Sequence, residues 1–145
     1  MHISNKCSIA IHCLVFISEY GEKKKVTSEL LSLSTGCNPV TIRNILSALR
    51  KDGIIEVKFG TGGATLAIPL HEISLYRICS SVDPQAIDKM IGIHVTPSPF
   101  CPVGRNIGSV LNQTYNILKE DMISSMKAIT LDKIMMDYHV LLESN

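Results

Sequence analysis

The loop Thr96-Pro97-Ser98-Pro99-Phe100-Cys101-Pro102 carries one thiol, Cys101, directly before a long helical pattern and one turn ahead of Arg105. A helix N-terminus and a nearby guanidinium both favour the thiolate, so the chemistry open to Cys101 is that of a redox-responsive thiol. The competing reading, a thiol that packs or sits idle, is the commoner fate of a single cysteine and stays open. Cys7 and Cys13 lie six residues apart on one helical pattern. About 9 Å of rise and about 120° of rotation separate them, so they cannot bridge each other within a chain. They sit on or beside the apolar stripe, where packing is the expected role. The five histidines show no metal-ligand spacing. No nucleophile, base and orienting acid assemble from neighbouring motifs, so no metal, cofactor or enzymatic activity is expected.

A second group of residues suits double-stranded DNA. Asn38 and Pro39 open a helix whose apolar positions Ile42, Ile45, Leu46 and Leu49 recur at i, i+3, i+4 and i+7. That spacing leaves Val40, Thr41, Arg43, Asn44, Ser47 and Lys51 toward solvent or a partner. A capped helix of about four turns fits the major groove. There Arg43 suits guanine, Asn44 suits adenine, and Val40 or Thr41 suits a thymine methyl. Taken alone, this surface is equally well a solvated helix face. Ser28, at the start of the preceding helix, and Asn38 complete the helical part of the candidate set. Downstream, Gly60-Thr61-Gly62-Gly63 beside Lys58 could lay amides and a cation on phosphate or the minor groove, where the bland alternative is an ordinary hairpin turn. The run follows one strand and precedes another and lacks a Gly-Lys-Ser/Thr ending, which rules against a nucleotide-binding loop. Lys23 to Lys25 read as solvated surface.

These residues need elements to hold them. Residues 4 to 20 read as a helix through Cys7, Ala10, Ile11, Leu14 and Ile17, ending at Gly21. Thr27 is the expected N-cap of a second helix carrying Leu30, Leu31 and Leu33, which stops near Gly36. Cys37 stands in hydrophobic-staple register with Ile42, ahead of the third helix, which Gly53 closes. From Ile54 the period falls to two, with Ile55, Val57 and Phe59 on one face and Glu56 and Lys58 on the other. Ala64, Leu66 and Ile68 alternate likewise, so residues 54 to 68 are expected to form a hairpin with a glycine-rich tip. Residues 72 to 82 read as helical, and 85 to 95 carry no decisive period. The prolines at 97, 99 and 102 keep the next stretch out of a helix. A long helix is expected from about Val103 to Ala128, with Ile107, Val110, Leu111, Ile117, Leu118, Met122, Met126 and Ile129 near heptad spacing. Thr130 is expected to cap a last helix. So long a helix on so small a chain is expected to bury its far stripe against a second copy, with Ile107, Val110, Leu111, Leu118, Met122 and Met126 as the dimerisation residues.

Composition agrees with one compact unit of 145 residues, 46% apolar and 19% charged. With 5% aromatic residues and no Trp, stacking platforms for single strands or sugars are poorly supplied. The longest apolar run, Ile9 to Ile17, is nine residues, interrupted by His12, against the roughly 20 a membrane helix needs. No signal peptide pattern opens the chain, and five cysteines, odd in number and scattered, read as free thiols, so a soluble cytoplasmic protein is expected. The formal charge is +1, with residues 1 to 70 at +3 and 71 to 145 at −2. A globally basic DNA binder is excluded, while a local basic face in the first half is not.

Three stretches together, Ile45-Leu46-Ser47-Ala48-Leu49-Arg50-Lys51-Asp52-Gly53-Ile54-Ile55, Gly60-Thr61-Gly62-Gly63-Ala64-Thr65-Leu66-Ala67 and Glu72-Ile73-Ser74-Leu75, resemble the Rrf-two family of bacterial transcription regulators. That family includes the iron-sulfur cluster regulator, the nitric-oxide-sensing repressor and the cysteine-metabolism regulator. Phe100-Cys101-Pro102-Val103-Gly104-Arg105-Asn106-Ile107 is most similar to its single-cysteine members of the YwnA type. The resemblance implies a mainly α fold with a β-hairpin wing. It places a winged helix-turn-helix DNA-binding domain at residues 1-82 and a sensing loop with dimerisation helices at 83-145. It also implies a repressor; as the homodimer expected from the long helix it would bind a palindromic operator through two recognition helices, and the position of Cys101 adds an expected response to redox change, a small-molecule effector being the alternative. Cluster-binding relatives carry three cysteines in the loop before the long helix; here that loop holds Cys101 alone, so no cluster is expected. The competing class is a winged-helix protein-interaction module that does not read DNA.

Overall fold

A computed structural model describes residues 4–58, 60 and 62–145. Phe59 and Thr61, expected on the first strand and at the wing tip, lie outside the described residues. Helix α1 spans Asn5–Tyr20, with Ser4 as N-cap accepting from the Lys6 N–H. It buries Cys7, Ala10, Cys13, Leu14 and Ile17; Ile11 of the expected stripe is only half-buried and Cys13 takes its place in the core. Helix α2 spans Ser28–Thr35. The Thr27 hydroxyl accepts from the Leu30 N–H at 3.1 Å, and Gly36, in the left-handed conformation, ends it. Helix α3 spans Pro39–Lys51, and the Asn38 side-chain oxygen accepts from the Val40 N–H at 2.8 Å.

The two helices of the helix-turn-helix are held from below. Leu31, Ile42 and Leu49 are completely buried together with Leu14 and Ile17 of α1 and Val26. Each such side chain contributes about 1.5–3 kcal/mol by leaving water. Leu33 does not share in this and stands 83% exposed. Strands β1 (Ile55–Val57) and β2 (Ala64–Leu66) then pair antiparallel, with Ile55 opposite Leu66 and Val57 opposite Ala64. The result is a winged helix-turn-helix, as expected, with ladders shorter than the alternating pattern suggested. The Ala67 N–H donates to the Ile54 carbonyl at 2.9 Å beyond the last strand pair.

The expected helix over 72 to 82 starts later. A single 3-10 turn, Leu70–Glu72, leads into extended backbone at Ile73 and Ser74, and helix α4 runs Leu75–Val82. The cause is long-range pairing. Ser74 bridges Thr130, the Leu75 N–H donates to the Ile129 carbonyl at 2.9 Å, and the Leu131 N–H donates to the Ile73 carbonyl at 2.8 Å. Residues 85 to 89 form turns and 90 to 95 run on as bends and irregular chain, without a helix or strand. Helix α5 spans Pro102–Ala128 and helix α6 spans Leu131–Ser144. Thr130 caps α6 in position only, for its hydroxyl donates to the Asp132 carboxylate. Helix α6 folds back on the first half, with Leu131 and Met135 buried in the main core and His139 Nε2 2.8 Å from Glu19 of α1. Among the described residues no helix is long and apolar enough to cross a membrane.

A candidate nucleic-acid interface

Helix α3 sorts its residues as the periodicity requires. Ile42, Ile45, Leu46 and Leu49 are buried, while Val40, Arg43, Asn44, Ser47 and Lys51 are exposed and Thr41 is half-buried. Arg43, Asn44, Ser47 and Lys51 line two adjoining hollows on one face. Arg43 and Ser47 line a cleft of about 370 Å³ with Ser28 at the start of α2 and with Gly62 and Gly63 of the wing. Asn44 and Lys51 lie beside them on the same face, in a neighbouring depression that Ser47 also lines, together with Asp52 and Ser81. There α4 is tied to the end of α3. Arg77 donates to the Asp52 carboxylate at 3.2 Å and to the Asp52 carbonyl at 2.8 Å, and Ser81 donates to the Ala48 carbonyl at 2.9 Å.

Two residues outside the expected set share the Arg43 side. Arg50 lines the same cleft, and its signal was present, because 43, 47 and 50 fall at i, i+4 and i+7 on one helix face. Glu29 lines it too and sits 3.9 Å from the Arg43 guanidinium, with both side chains more than half exposed. At that distance and exposure the pair holds Arg43 only loosely. Asn38 is committed through its side-chain oxygen to the helix cap, so its first role is structural.

The wing glycines have a packing reason of their own. A Cβ on Gly63 would collide with the backbone nitrogen and oxygen of Val26 and would stand 2.8 Å from its carbonyl carbon. The Ala64 N–H donates to the Val26 carbonyl at 2.9 Å, so the wing is seated against the residue before the α2 cap. A Cβ on Gly62 would meet the Lys58 Cβ at 2.6 Å. Gly60 adopts φ +85, which only glycine takes without strain. Lys25 Nζ donates to the Gly60 carbonyl at 3.4 Å, a brace from one of the lysines read as solvated surface.

The other expected site residues fall elsewhere. Cys101 is exposed at the N-cap position of α5, without a side-chain capping bond, beside Phe100, which is 92% exposed. An iron-sulfur cluster needs several converging thiolates. Among the described residues no three His, Cys, Asp or Glu side chains come together as a ligand set, so the donor set around Cys101 does not fit such a cluster. The stripe on α5 divides. Val110 and Leu118 are exposed, with Ile117 beside them, and Ile107 and Leu111 are half-buried. Met126 is buried and Met122 half-buried against Cys7, Cys79 and Ala86 of the same chain. Cys7 and Cys79, remote in sequence, hydrogen-bond through their thiols. That bond holds the Cys7 thiol below its usual range and pushes that of Cys79 up. Burial pushes the Cys13 thiol up to about 12. Cys37 is half-buried against the main core, as a staple residue would be.

The family model Rrf2, described as iron-dependent transcriptional regulator, matches residues 3–137. The chain is 31% identical over 133 residues to YwnA of Bacillus subtilis (strain 168), assigned as an HTH-type transcriptional regulator, across 92% of this chain and 96% of YwnA. A crystal structure of a protein assigned as DNA-binding superposes with a TM-score of 0.72 at 28% identity, covering 90% of this chain and 98% of that one. The structure of a transcriptional regulator assigned in Lactobacillus plantarum gives 0.77 at 25% identity, covering 93% and 90%. Sequence likeness over nearly the whole length and likeness of fold therefore agree, and the chain belongs to the Rrf2 family of transcriptional regulators.

Proposed function

We propose that the chain is a DNA-binding repressor, acting in the cytoplasm as a homodimer on a palindromic operator. The observation that carries the reading is the cleft where Arg43 and Ser47 of α3, Ser28 of α2 and the glycine edge of the wing converge. A helix carrying exposed Arg, Asn, Ser and Lys on one face and four buried aliphatics on the other can enter a major groove without losing core. In this reading Val40, Thr41, Arg43, Asn44 and Ser47 face base edges. Ser28, Asn38, Lys51, Lys58, Thr61, Gly62 and Gly63 serve the phosphates and the minor groove. The kinship with DNA-binding and regulatory relatives supports this, and repression follows the family resemblance.

Residues 1-82 form the reading part and 83-145 the sensing and dimerising part, with α6 packed back onto the former. Exposed Val110 and Leu118, flanked by Ile107 and Leu111, form the stripe through which two copies join. Two-fold symmetry then requires two half-sites about 34–36 Å, or a multiple, apart. Cys101, exposed at the N-cap position of the joining helix, is the candidate for redox control of the distance between the two reading helices, a small-molecule effector being the other source of control. Selection of binding sites from a randomised duplex pool tests the assignment. An inverted repeat at that spacing is expected, and a pool that returns no consensus refutes it in favour of a protein-interaction module. Replacing Cys101 with Ser is expected to leave reduced binding intact and to abolish oxidant-dependent release; release that persists in the variant removes Cys101 from the mechanism.

A further inference from the structure

Behind α4, on the side away from the reading helix, five sulfur side chains line one small apolar cavity: Cys7 of α1, Cys79 of α4, Met90 of the turn segment, and Met122 and Met126 of α5. The cavity has a volume of about 10 Å³, and Cys7, Cys79 and Met90 are each no more than 4% exposed. A void of this size holds about one water-sized sphere, and an apolar lining gives a water no partners. A hydrated hard cation fits neither the volume nor the donors, since Mg²⁺ and Ca²⁺ take oxygen ligands and Mg²⁺ keeps its waters. A bare soft ion fits both, because thiolate and thioether ligands select Cu(I).

We infer that Cys7 and Cys79, supported by the thioethers of Met90, Met122 and Met126, form a binding site for a single Cu(I) ion. Both thiols line the same cavity of about 10 Å³ and pack in one buried cluster, so one small cation placed there meets both sulfurs. In the binding step Cu(I) forms two Cu–S bonds and both thiol protons leave to solvent. Copper stays Cu(I), and no electron is transferred. The ligands come from α1, α4, the segment carrying Met90 and the C-terminal end of α5, so the ion ties the last turns of the long helix to the first half of the chain. Nothing in this site depends on whether the chain reads DNA.

The test is an anaerobic titration of the full-length reduced protein against Cu(I) held by bicinchoninate, a chromogenic chelator. The wild type is expected to withdraw one equivalent, and a Cys37→Ser/Cys101→Ser double variant to withdraw it with equal affinity. Cys79→Ser is expected to lose the site. Met122→Leu/Met126→Leu conserves volume, and with an unchanged circular dichroism spectrum is expected to bind at least about tenfold more weakly. Zn(II) is expected to compete poorly. The assignment is overturned if the wild type takes no Cu(I) from the chelator, if the Cys37/Cys101 variant loses the equivalent, if the methionine variant binds as the wild type does, or if Zn(II) binds as tightly.

Discussion

Replacing Gly63 with Ala adds one methyl group at the point where the wing meets the helical body. That methyl would fall on the backbone of Val26, which is 1% exposed and stands directly before the Thr27 cap of α2. The obstacle is backbone rather than the far end of a flexible side chain, so relief requires the wing to move. Overpacking of this kind costs about 1–3 kcal/mol. Lengthening the Ala64 to Val26 hydrogen bond, now 2.9 Å, adds about 1 kcal/mol. A total of about 2–4 kcal/mol in a chain of this size corresponds to a midpoint about 5 to 15 °C lower. Scanning calorimetry with thermal circular dichroism measures it. Gly92→Ala is the control, because a Cβ there meets nothing within 4 Å. A Gly63→Ala protein that melts within about 2 °C of wild type, as the control should, refutes the close seating of the wing.

Arg43→Ala is expected to weaken operator binding by about 5- to 150-fold, the worth of one bidentate base contact, with stability unchanged since the side chain is exposed. Equal loss on operator and scrambled DNA would move Arg43 from base reading to phosphate contact. Glu29→Gln removes an anion from the same cleft and releases Arg43, so affinity for any duplex is expected to rise at low salt; an unchanged affinity places Glu29 outside the contact zone. The hydroxyl of Thr130 holds the Asp132 carboxyl below the usual carboxylate range, helped by the Lys133 N–H. A depressed folded-state value stabilises above the unfolded carboxylate pKa, about 3.9, and that contribution fades as pH falls through the lower folded value. Thr130→Val is therefore expected to raise the Asp132 titration midpoint in an NMR pH series, and an unmoved midpoint contradicts the assignment. Leu118→Glu places a charge on the exposed stripe of α5 and is expected to yield monomers in sedimentation equilibrium while leaving the fold intact; a dimer unaffected by it places the interface elsewhere.

Local signals made the reading half legible. Asn38 and Pro39 mark the start of α3, and the four-residue aliphatic pattern fixes which face is free, because cap chemistry and helical period act within a few residues. Helix α5 was equally plain from the proline stop and its length. Contacts between distant segments were not legible. The pairing of Ser74 with Thr130 holds two expected helical residues, Ile73 and Ser74, in extended chain, and no pattern within 72 to 82 announces it. The apolar stripe of α5 shows that Met122 and Met126 seek cover but not that Cys7 and Ala86 provide it. The thiol pair of Cys7 and Cys79 is invisible for the same reason. The sequence points to Gly63 for its amide, whereas the fold requires its missing side chain.

The central claim is that α3 and the wing together read one DNA sequence. Fluorescence anisotropy of the reduced protein, titrated against the selected inverted repeat and a scrambled duplex at two salt concentrations, tests it most directly. Selective binding of the repeat, weakening steeply as salt rises because phosphate contacts release counterions, is the predicted result. Equal affinity for both duplexes at both salts would contradict it.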